Sequence, residues 1–336
     1  MDRAFAVLEE SCVSQEICGA VAAVVAGHQV VGPRAFGRSS LVPEGPKLDA
    51  DAIFDLASLT KVVATLPCVL RLVAAGEVRL DQEAGCFLPE LAGTGPGRAT
   101  LLELLTHTSG LSAHYPFYRE NLDRAGLLKF IGGMPLLPRG QVVYSDIGFI
   151  LLGFIVEQVL GAGLDQEAAR TVFSPLGMDS TGFGLTGTSR AVATELGVPA
   201  GVVHDENARA MGGVAGHAGL FSSAPDLVRY ARVWLDHGTP LLDSWLVAMA
   251  TRDCTGGQGR GLGWFLPGPG SVFPPAGYGH TGFTGTSLWL DPRPGLAVIL
   301  LTNAVHPARG NPATPRVRRD FHRAVYEWAC REMGGV

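Results

Sequence analysis

The segment SLTKVVATLPCVLRLVAAG, residues 58–76, shows most clearly how this chain folds and what it could do. Its apolar residues recur at intervals of three and four, which predicts a helix that begins at Ser58 and ends near Gly76. Ser58 and Lys61 are three residues apart, so their hydroxyl and amine project from one face of that helix. This pairs a nucleophile with a possible base. The same four residues are also compatible with a helix-capping serine and a solvated lysine.

The composition around this helix indicates a globular protein. The chain has 336 residues, of which 47% are hydrophobic and 17% charged, enough apolar material for a substantial core. Forty-five glycines and 22 prolines predict many turns, without the period of a collagen or a repeat array. The net charge of −5 leaves no basic stripe for a phosphate backbone, so we expect no nucleic-acid partner.

The remaining global signals concern location and cofactors. The acidic amino-terminal segment MDRAFAVLEE does not resemble an export signal, so we expect a cytoplasmic protein. The most apolar runs, residues 17–27 and 147–160, are too short or too interrupted for a bilayer, and we expect no membrane span. Six scattered cysteines without a Cys-x-x-Cys pair predict free, mostly buried thiols, with neither a zinc ribbon nor a redox dithiol.

Secondary-structure patterns place strands at both ends of the chain and helices between them. Apolar periodicity predicts helices over residues 2–16, 101–106, 122–131, 145–160, 226–236 and 315–333. Strand-like runs cover Gly19–Ala26, His28–Phe36, Gly261–Leu266, Thr286–Asp291 and Leu296–Thr302. The turn Pro292-Arg293-Pro294-Gly295 between the last two runs favours antiparallel pairing.

This order predicts an α/β protein of the α+β type, with one antiparallel sheet flanked by helices and an inserted, mostly helical subdomain. We assign residues 1–76 and 225–336 to the part that contains the sheet, and residues 77–224 to the helical subdomain. The active site is expected at the interface of the two.

Two further segments carry chemistry. Tyr144-Ser145-Asp146 stands at the head of a predicted helix, and His280-Thr281-Gly282 borders a strand near the other end of the chain. Together with Ser58-x-x-Lys61, in this order, they resemble the three motifs of the serine β-lactamase and penicillin-binding-protein superfamily, and most closely its class C-like branch. That branch holds β-lactamases, D-alanyl-D-alanine carboxypeptidases, D-aminopeptidases and esterases, and some of its carboxypeptidases carry His-Thr-Gly. Residues 104–111, 175–178 and 216–221 also resemble that family.

The resemblance implies a role for each motif. Ser58 would attack an acyl carbonyl, Lys61 and Tyr144 would share the proton transfers, and water would hydrolyse the resulting acyl-enzyme. The backbone N–H groups of Ser58 and Phe283 would form the oxyanion hole. Substrate would be bound by Asp146, His280, Thr281 and Gly282. Neither a metal nor an organic cofactor is implied.

Two departures from the family pattern sharpen this interpretation. The second motif usually ends in asparagine, whereas the carboxylate of Asp146 would hold Lys61 as an ammonium if the two touch. Tyr144 would then be the base and Lys61 its electrostatic support. In the third motif, His280 replaces a lysine and is largely neutral at pH 7, so an anchor for anionic substrates is lost unless an arginine substitutes.

Other polar and aromatic residues have structural interpretations that we prefer. The segment His204-Asp205-Glu206-Asn207 and His217 match no standard zinc spacing and are expected to structure a loop. A triad based on His217 lacks the Gly-x-Ser-x-Gly elbow that would supply its serine. His107 and His114 are expected to be structural. Trp264, Trp289 and Phe283 could line a cleft, although aromatic residues in strands more often belong to the core.

Together these signals predict a serine hydrolase that acts on an ester or a small amide. Within the same family the alternatives are a D-alanyl-D-alanine carboxypeptidase, acting on a D-amino-acid peptide, and a β-lactamase. An alternative of another class is a non-catalytic, penicillin-binding-like binding protein, because a fold does not fix a function.

Overall fold

The computed structural model describes residues 1–268, 271–274 and 276–333, so the last three residues of the predicted 225–336 segment lie outside it. The α-helices in these ranges are α1 (Asp2–Val13), α2 (Leu66–Ala74), α3 (Leu101–Leu105), α4 (Arg124–Gly132), α5 (Asp146–Leu160), α6 (Leu164–Ala168), α7 (Glu206–Ala210), α8 (Ala224–Leu235), α9 (Ser244–Thr251) and α10 (Thr314–Glu332). The strands are β1 (Gly19–Ala26), β2 (Gln29–Gly37), β3 (Ile53–Asp55), β4 (Gly182–Phe183), β5 (Leu220–Ser223), β6 (Tyr278–Thr281), β7 (Ser287–Asp291) and β8 (Leu296–Thr302).

The central sheet has five antiparallel strands in the order β2-β1-β8-β7-β6. Its middle is the pairing of β1 with β8, in which Ala20 faces Thr302 and Ala26 faces Leu296. β1 comes from the start of the chain and β8 from near its end, so the predicted antiparallel sheet built from both ends is confirmed. The predicted turn at residues 292–295 also forms, with Asp291 paired to Leu296.

Both faces of the central sheet are covered by helices. Successive side chains of β1 point to opposite faces, so β1 contributes to two cores. Val21, Ala23 and Val25 belong to the main core, which they share with α2, α5 and α8. Residues on the other face of β1 and β8 pack against α1 and α10 in a second core, with Phe321 fully buried at its centre. Burial on both faces explains the unbroken apolar runs of β1 and β8.

A second, smaller sheet orders its strands β3-β5-β4 and was not predicted, since its strands have only three, four and two residues. One predicted strand is wrong: residues 261–266 form no regular strand, and only Phe265 bridges to Gly279 and Arg260. Gly263, with φ at +75°, bends the chain out of an extended conformation.

The helical stretch predicted to start at Ser58 is present as Ala57–Ala74. It opens as a 3₁₀ turn over Ala57–Leu59, continues as a π turn over Lys61–Thr65, and becomes α2. It is the one unbroken helix of the described residues that is long and apolar enough to cross a membrane, with a mean hydropathy of 1.5. However, 78% of it is buried inside the protein, as expected for a core helix.

The six cysteines are free thiols, as predicted. The expectation that most of them are buried is wrong, because only Cys18 and Cys68 are buried.

Candidate active site

A cavity of about 650 Å³ opens between the β6 edge of the central sheet, the start of the Ala57–Ala74 helix and the head of α5. Residues from all three predicted motifs line it, together with charged and aromatic residues from the loops around it. The lining includes Ser58, His114, Tyr144, Asp146, His204, Asp205, Glu206, Phe265, Thr281, Gly282, Phe283, Arg309, Asn311, Thr314 and Arg318.

Ser58 is presented to this cavity by a strained turn. The preceding residue, Ala57, has φ at +46°, a left-handed conformation that is costly for a residue with a Cβ. The buried carboxylate of Asp55 holds the turn, accepting hydrogen bonds from Ala57 N at 2.8 Å and from His204 N at 2.7 Å. Burial raises the pKa of Asp55 to about 6. Asp55 therefore ties the turn that carries Ser58 to His204, another residue of the cavity lining.

Lys61 lies one turn on and is fully buried. Its Nζ donates hydrogen bonds to Ser58 Oγ at 3.0 Å, to Asp146 Oδ1 at 2.7 Å and to the carbonyl of His217 at 3.1 Å. Burial lowers the pKa of Lys61, but the Asp146 carboxylate and the Tyr144 phenol outweigh it, so the pKa is raised. Lys61 is thus an ammonium with all three N–H groups satisfied.

Asp146 is the first residue of α5, and the side chain of Ser145 caps the N-terminus of this helix. Besides its bond to Lys61, its second oxygen lies 3.8 Å from Nδ1 of the half-exposed His114. Burial by itself would raise the pKa of Asp146. The charge of Lys61 lowers this pKa and, with smaller contributions from neighbouring groups, outweighs burial, so the pKa of Asp146 lies well below its usual range. The carboxylate that replaces the family's asparagine is therefore paired with Lys61.

The Tyr144 ring stands on the cavity wall, with its centroid 5.0 Å from Lys61 Nζ. It packs against the buried His107 ring at 4.6 Å and stacks on Phe265 at 5.8 Å. These contacts fix the position of the Tyr144 ring beside Lys61.

The third motif divides between the cavity and the core. Thr281 and Gly282 line the cavity, whereas the side chain of His280 is fully buried behind it, against Phe265 and Tyr144. Burial and the charges of Lys61 and Arg260 hold the pKa of His280 well below its usual value. His280 was expected to bind substrate, but its side chain is fully buried and is not among the residues that line the cavity.

Two hydrogen bonds join the turn after β6 to the turn that carries Ser58. Thr284 Oγ1 donates to the carbonyl of Asp55 at 2.7 Å, and Thr286 Oγ1 donates to the carbonyl of Leu56 at 3.1 Å. A Cβ on Gly282 would lie 2.4 Å from the Leu56 carbonyl, so only glycine fits there. Among the described residues, no backbone carbonyl accepts the N–H of Ser58 or of Phe283, which leaves both donors available.

Three features of the cavity region were not predicted from the sequence. The first is the His217 carbonyl that binds Lys61, while the His217 ring is held by Asp205 at 3.0 Å. The second is Arg318 of α10, whose Nη2 donates weakly to the carbonyls of Gly282 and Thr286. The third is Arg309, paired with Glu195 and Glu206. The glycine-rich segment around His217 was the one sequence signal for these groups.

The structure places the aromatic and polar residues for which the sequence allowed both a structural and a functional interpretation. Trp264 is fully buried in the main core, and Trp289 stacks on Phe273 at 4.3 Å, whereas Phe283 is 63% exposed and borders the cavity. Asp205 caps α7 through Ala208 N, in keeping with a loop-structuring role. Within the described ranges, no group of three or more His, Cys, Asp or Glu side chains could hold a metal ion.

Comparisons with known proteins find similarity over most of the chain. Residues 2–323 match the family model described as Beta-lactamase. A Salmonella gallinarum protein named "Putative D-alanyl-D-alanine carboxypeptidase" is 30% identical, over 93% of this chain and 85% of its own length.

Two solved structures share the fold. EstCE1, a hydrolase with promiscuous acyltransferase activity, superposes with a TM-score of 0.81 at 22% identity, over 97% of this chain and 98% of its own. A class C β-lactamase from Rhodobacter sphaeroides superposes with a TM-score of 0.74 at 23% identity, over 98% of this chain and all of its own.

Proposed function

Because the chain belongs to the Beta-lactamase family of serine hydrolases, we propose that it hydrolyses an ester or a small amide through an acyl-enzyme on Ser58. The observation that carries this proposal is the hydrogen bond of 3.0 Å between Lys61 Nζ and Ser58 Oγ at the wall of the cavity. Ser58 Oγ accepts this bond, so its own proton is free to leave toward another base.

Tyr144 is the base that we propose. Lys61 is held as an ammonium by Asp146 and has no lone pair to accept a proton. The phenolate of Tyr144 takes the proton of Ser58 while Oγ adds to the carbonyl carbon of the substrate. The Tyr144 hydroxyl then gives that proton to the departing alcohol or amine.

The same groups complete the cycle. Tyr144, again a phenolate, takes a proton from water, and the hydroxide adds to the acyl carbon. When the bond from that carbon to Ser58 breaks, the proton on Tyr144 passes to Ser58 Oγ and the acid is released. In both steps the oxyanion would lie between the N–H groups of Ser58 and Phe283, where loss of one donor typically costs about 3 kcal/mol of transition-state stabilisation.

The cavity favours an ester or a small amide in one respect and an anionic substrate in another. His280 is neutral and buried, so it offers no cation where the family's lysine would. Arg318, however, lines the cavity beside Gly282 and makes no salt bridge among the described residues. A carboxylate could bind there, which makes a D-alanyl-D-alanine carboxypeptidase, as the Salmonella relative is named, the second candidate.

A fluorophosphonate probe and p-nitrophenyl acetate test the proposal. We expect the protein to be labelled at Ser58 and to release nitrophenol, and Ser58→Ala to abolish both signals, because Ser58 is the nucleophile that carries the acyl group in this proposal. Ser244→Ala is the matched control, since Ser244 is an exposed hydroxyl in the first turn of α9.

An unlabelled wild-type protein would contradict the proposal and favour a non-catalytic binding protein. Comparing short-chain esters, D-alanyl-D-alanine peptides and a chromogenic cephalosporin then separates the esterase, the carboxypeptidase and the β-lactamase. Preferential turnover of the D-alanyl peptide, lost in Arg318→Gln, would select the second candidate.

A further inference from the structure

We propose that Arg260 is a positioning residue for Tyr144, supplying beside its ring the fixed positive charge that His280 does not provide. This charge favours the phenolate that takes the proton of Ser58. The inference rests on the proposed acyl-enzyme function and adds to it a residue outside the three motifs.

Arg260 packs behind the cavity wall, against the rings of Phe265 and Tyr144. Its guanidinium carbon lies 3.8 Å from the centroid of the Phe265 ring and 5.5 Å from the centroid of the Tyr144 ring. The backbone of Arg260 is fixed by a bridge to Phe265 and by a hydrogen bond from Cys254 N. The residue is only 8% exposed, so its charge acts through a poorly screened region.

The guanidinium of Arg260 has no partner of opposite charge in the part of the chain that the structure describes. Among the described residues it makes neither a salt bridge nor a side-chain hydrogen bond, and its Nη1 is buried without an acceptor. The two arginines that line the cavity differ from Arg260. Arg309 is paired with two glutamates, and Arg318 contacts two carbonyls. A buried cation without a partner is costly for folding. An anion that forms on Tyr144 during the reaction would give this cation a function.

Among the described groups around the Tyr144 ring, Arg260 carries the positive charge that no neighbouring anion balances. Lys61 lies 5.0 Å from the same ring, but the carboxylate of Asp146 already balances its charge. His107 and His280 also pack against the ring, and burial keeps the pKa of both well below the usual value, so both are neutral. Arg260 therefore supplies the net positive charge on this side of the site.

The expected size follows from the distance. A unit charge about 6 Å from a developing phenolate, at the effective dielectric constant of about 20 that suits protein sites, changes its formation roughly tenfold to a hundredfold. Burial lowers the pKa of Arg260 only to about 10, so the guanidinium is charged throughout the neutral range.

The test is the pH dependence of kcat/KM for p-nitrophenyl acetate in Arg260→Gln and Arg260→Lys. We expect Arg260→Gln to lose tenfold to a hundredfold at pH 7, with its acidic limb moved up by at least one pH unit and KM nearly unchanged. Arg260→Lys, which keeps the charge, should retain most of the activity. Arg71→Gln is the control, because Arg71 donates to the Leu241 carbonyl and is not among the residues that line the cavity.

A rescue experiment separates charge from packing. In Arg260→Gln/His280→Lys the lysine typical of the family's third motif returns, and the acidic limb should move back toward that of the wild type. If Arg260→Gln does not fold, His280→Lys in the wild-type background is measured, and it should move the limb to lower pH. An acidic limb that stays in place in the folded variant overturns the inference.

The two proposals fail in different ways. If the wild-type protein is not labelled at Ser58 by a fluorophosphonate, the proposed function itself fails. If the wild-type protein is labelled at Ser58 and hydrolyses the ester, while Arg260→Gln keeps the wild-type pH profile, only the role of Arg260 is refuted.

Discussion

At the scale of single residues, the replacement of asparagine by Asp146 decides the protonation of the site. Lys61 is fully buried, and burial alone would favour its neutral form. The Asp146 carboxylate at 2.7 Å reverses that preference and makes the lysine an ammonium. In the proposed mechanism the role of base therefore falls to the Tyr144 phenol, because the Lys61 amine has no lone pair to accept a proton.

Asp146→Asn should lower the free energy of unfolding at pH 7 by about 3 kcal/mol, because it leaves the buried Lys61 charge without a counter-ion. The native pKa of Asp146 lies below its unfolded value, so its stabilising contribution is complete above about pH 4 and is lost as the pH falls. The difference between the two proteins should therefore shrink in acid. Urea unfolding between pH 3 and pH 8 measures it, and equal stabilities at pH 7 would contradict the buried pair.

At the scale of elements, the Ala57–Ala74 helix holds the glycine-rich loop that completes the site. Thr65 Oγ1 donates to the carbonyl of Gly216 at 2.7 Å, and Leu220 N donates to Thr60 Oγ1 at 3.1 Å. Between these two bonds lies the His217 carbonyl that accepts from Lys61. The loop can lie this close because Gly216 packs directly on the backbone of α5, where a Cβ would be 2.0 Å from the Phe149 carbonyl.

Gly216→Ala should therefore destabilise the protein by about 3 kcal/mol, as expected for an overpacked site that must move the backbone. It should also reduce kcat for p-nitrophenyl acetate, because the displaced His217 carbonyl no longer holds Lys61. Thermal unfolding and steady-state kinetics measure the two effects. Gly133→Ala is the matched control, since Gly133 has φ at −87° and only ordinary contacts. Similar behaviour of the two variants would refute the packing argument.

At the scale of the whole molecule, the main core crosses the predicted boundaries at residues 76/77 and 224/225. It contains Ile299 of the central sheet together with Leu104 and Ile155 of the helical part. The division into two subdomains stays a prediction about chain organisation. The shared core implies that the two parts stabilise each other.

We therefore expect heat to unfold the described fold in one cooperative transition in a calorimeter. Phe321→Ala, in the second core between α10 and the sheet, should move that entire transition to lower temperature, through a loss of about 3–5 kcal/mol. Two separated heat-absorption peaks, with only one of them moved by Phe321→Ala, would show that the parts unfold independently.

The sequence by itself determined the features that depend on local pattern. Apolar periodicity placed the helix of Ser58 and the strands β1, β7 and β8. The resemblance of the three motifs to a known family singled out Ser58, Tyr144 and Thr281, all of which line one cavity. The sequence pattern missed the small sheet, because strands of two to four residues carry no detectable period, and it mistook residues 261–266 for a strand.

Only the tertiary structure decided which groups with no local relation in the chain meet. The pairing of Lys61 with the His217 carbonyl, the burial of His280 and the place of Arg260 beside Tyr144 join residues more than a hundred positions apart. Side-chain orientation and desolvation at these contacts depend on packing against distant segments. The charge state of the site therefore follows from the folded arrangement, and no single segment encodes it.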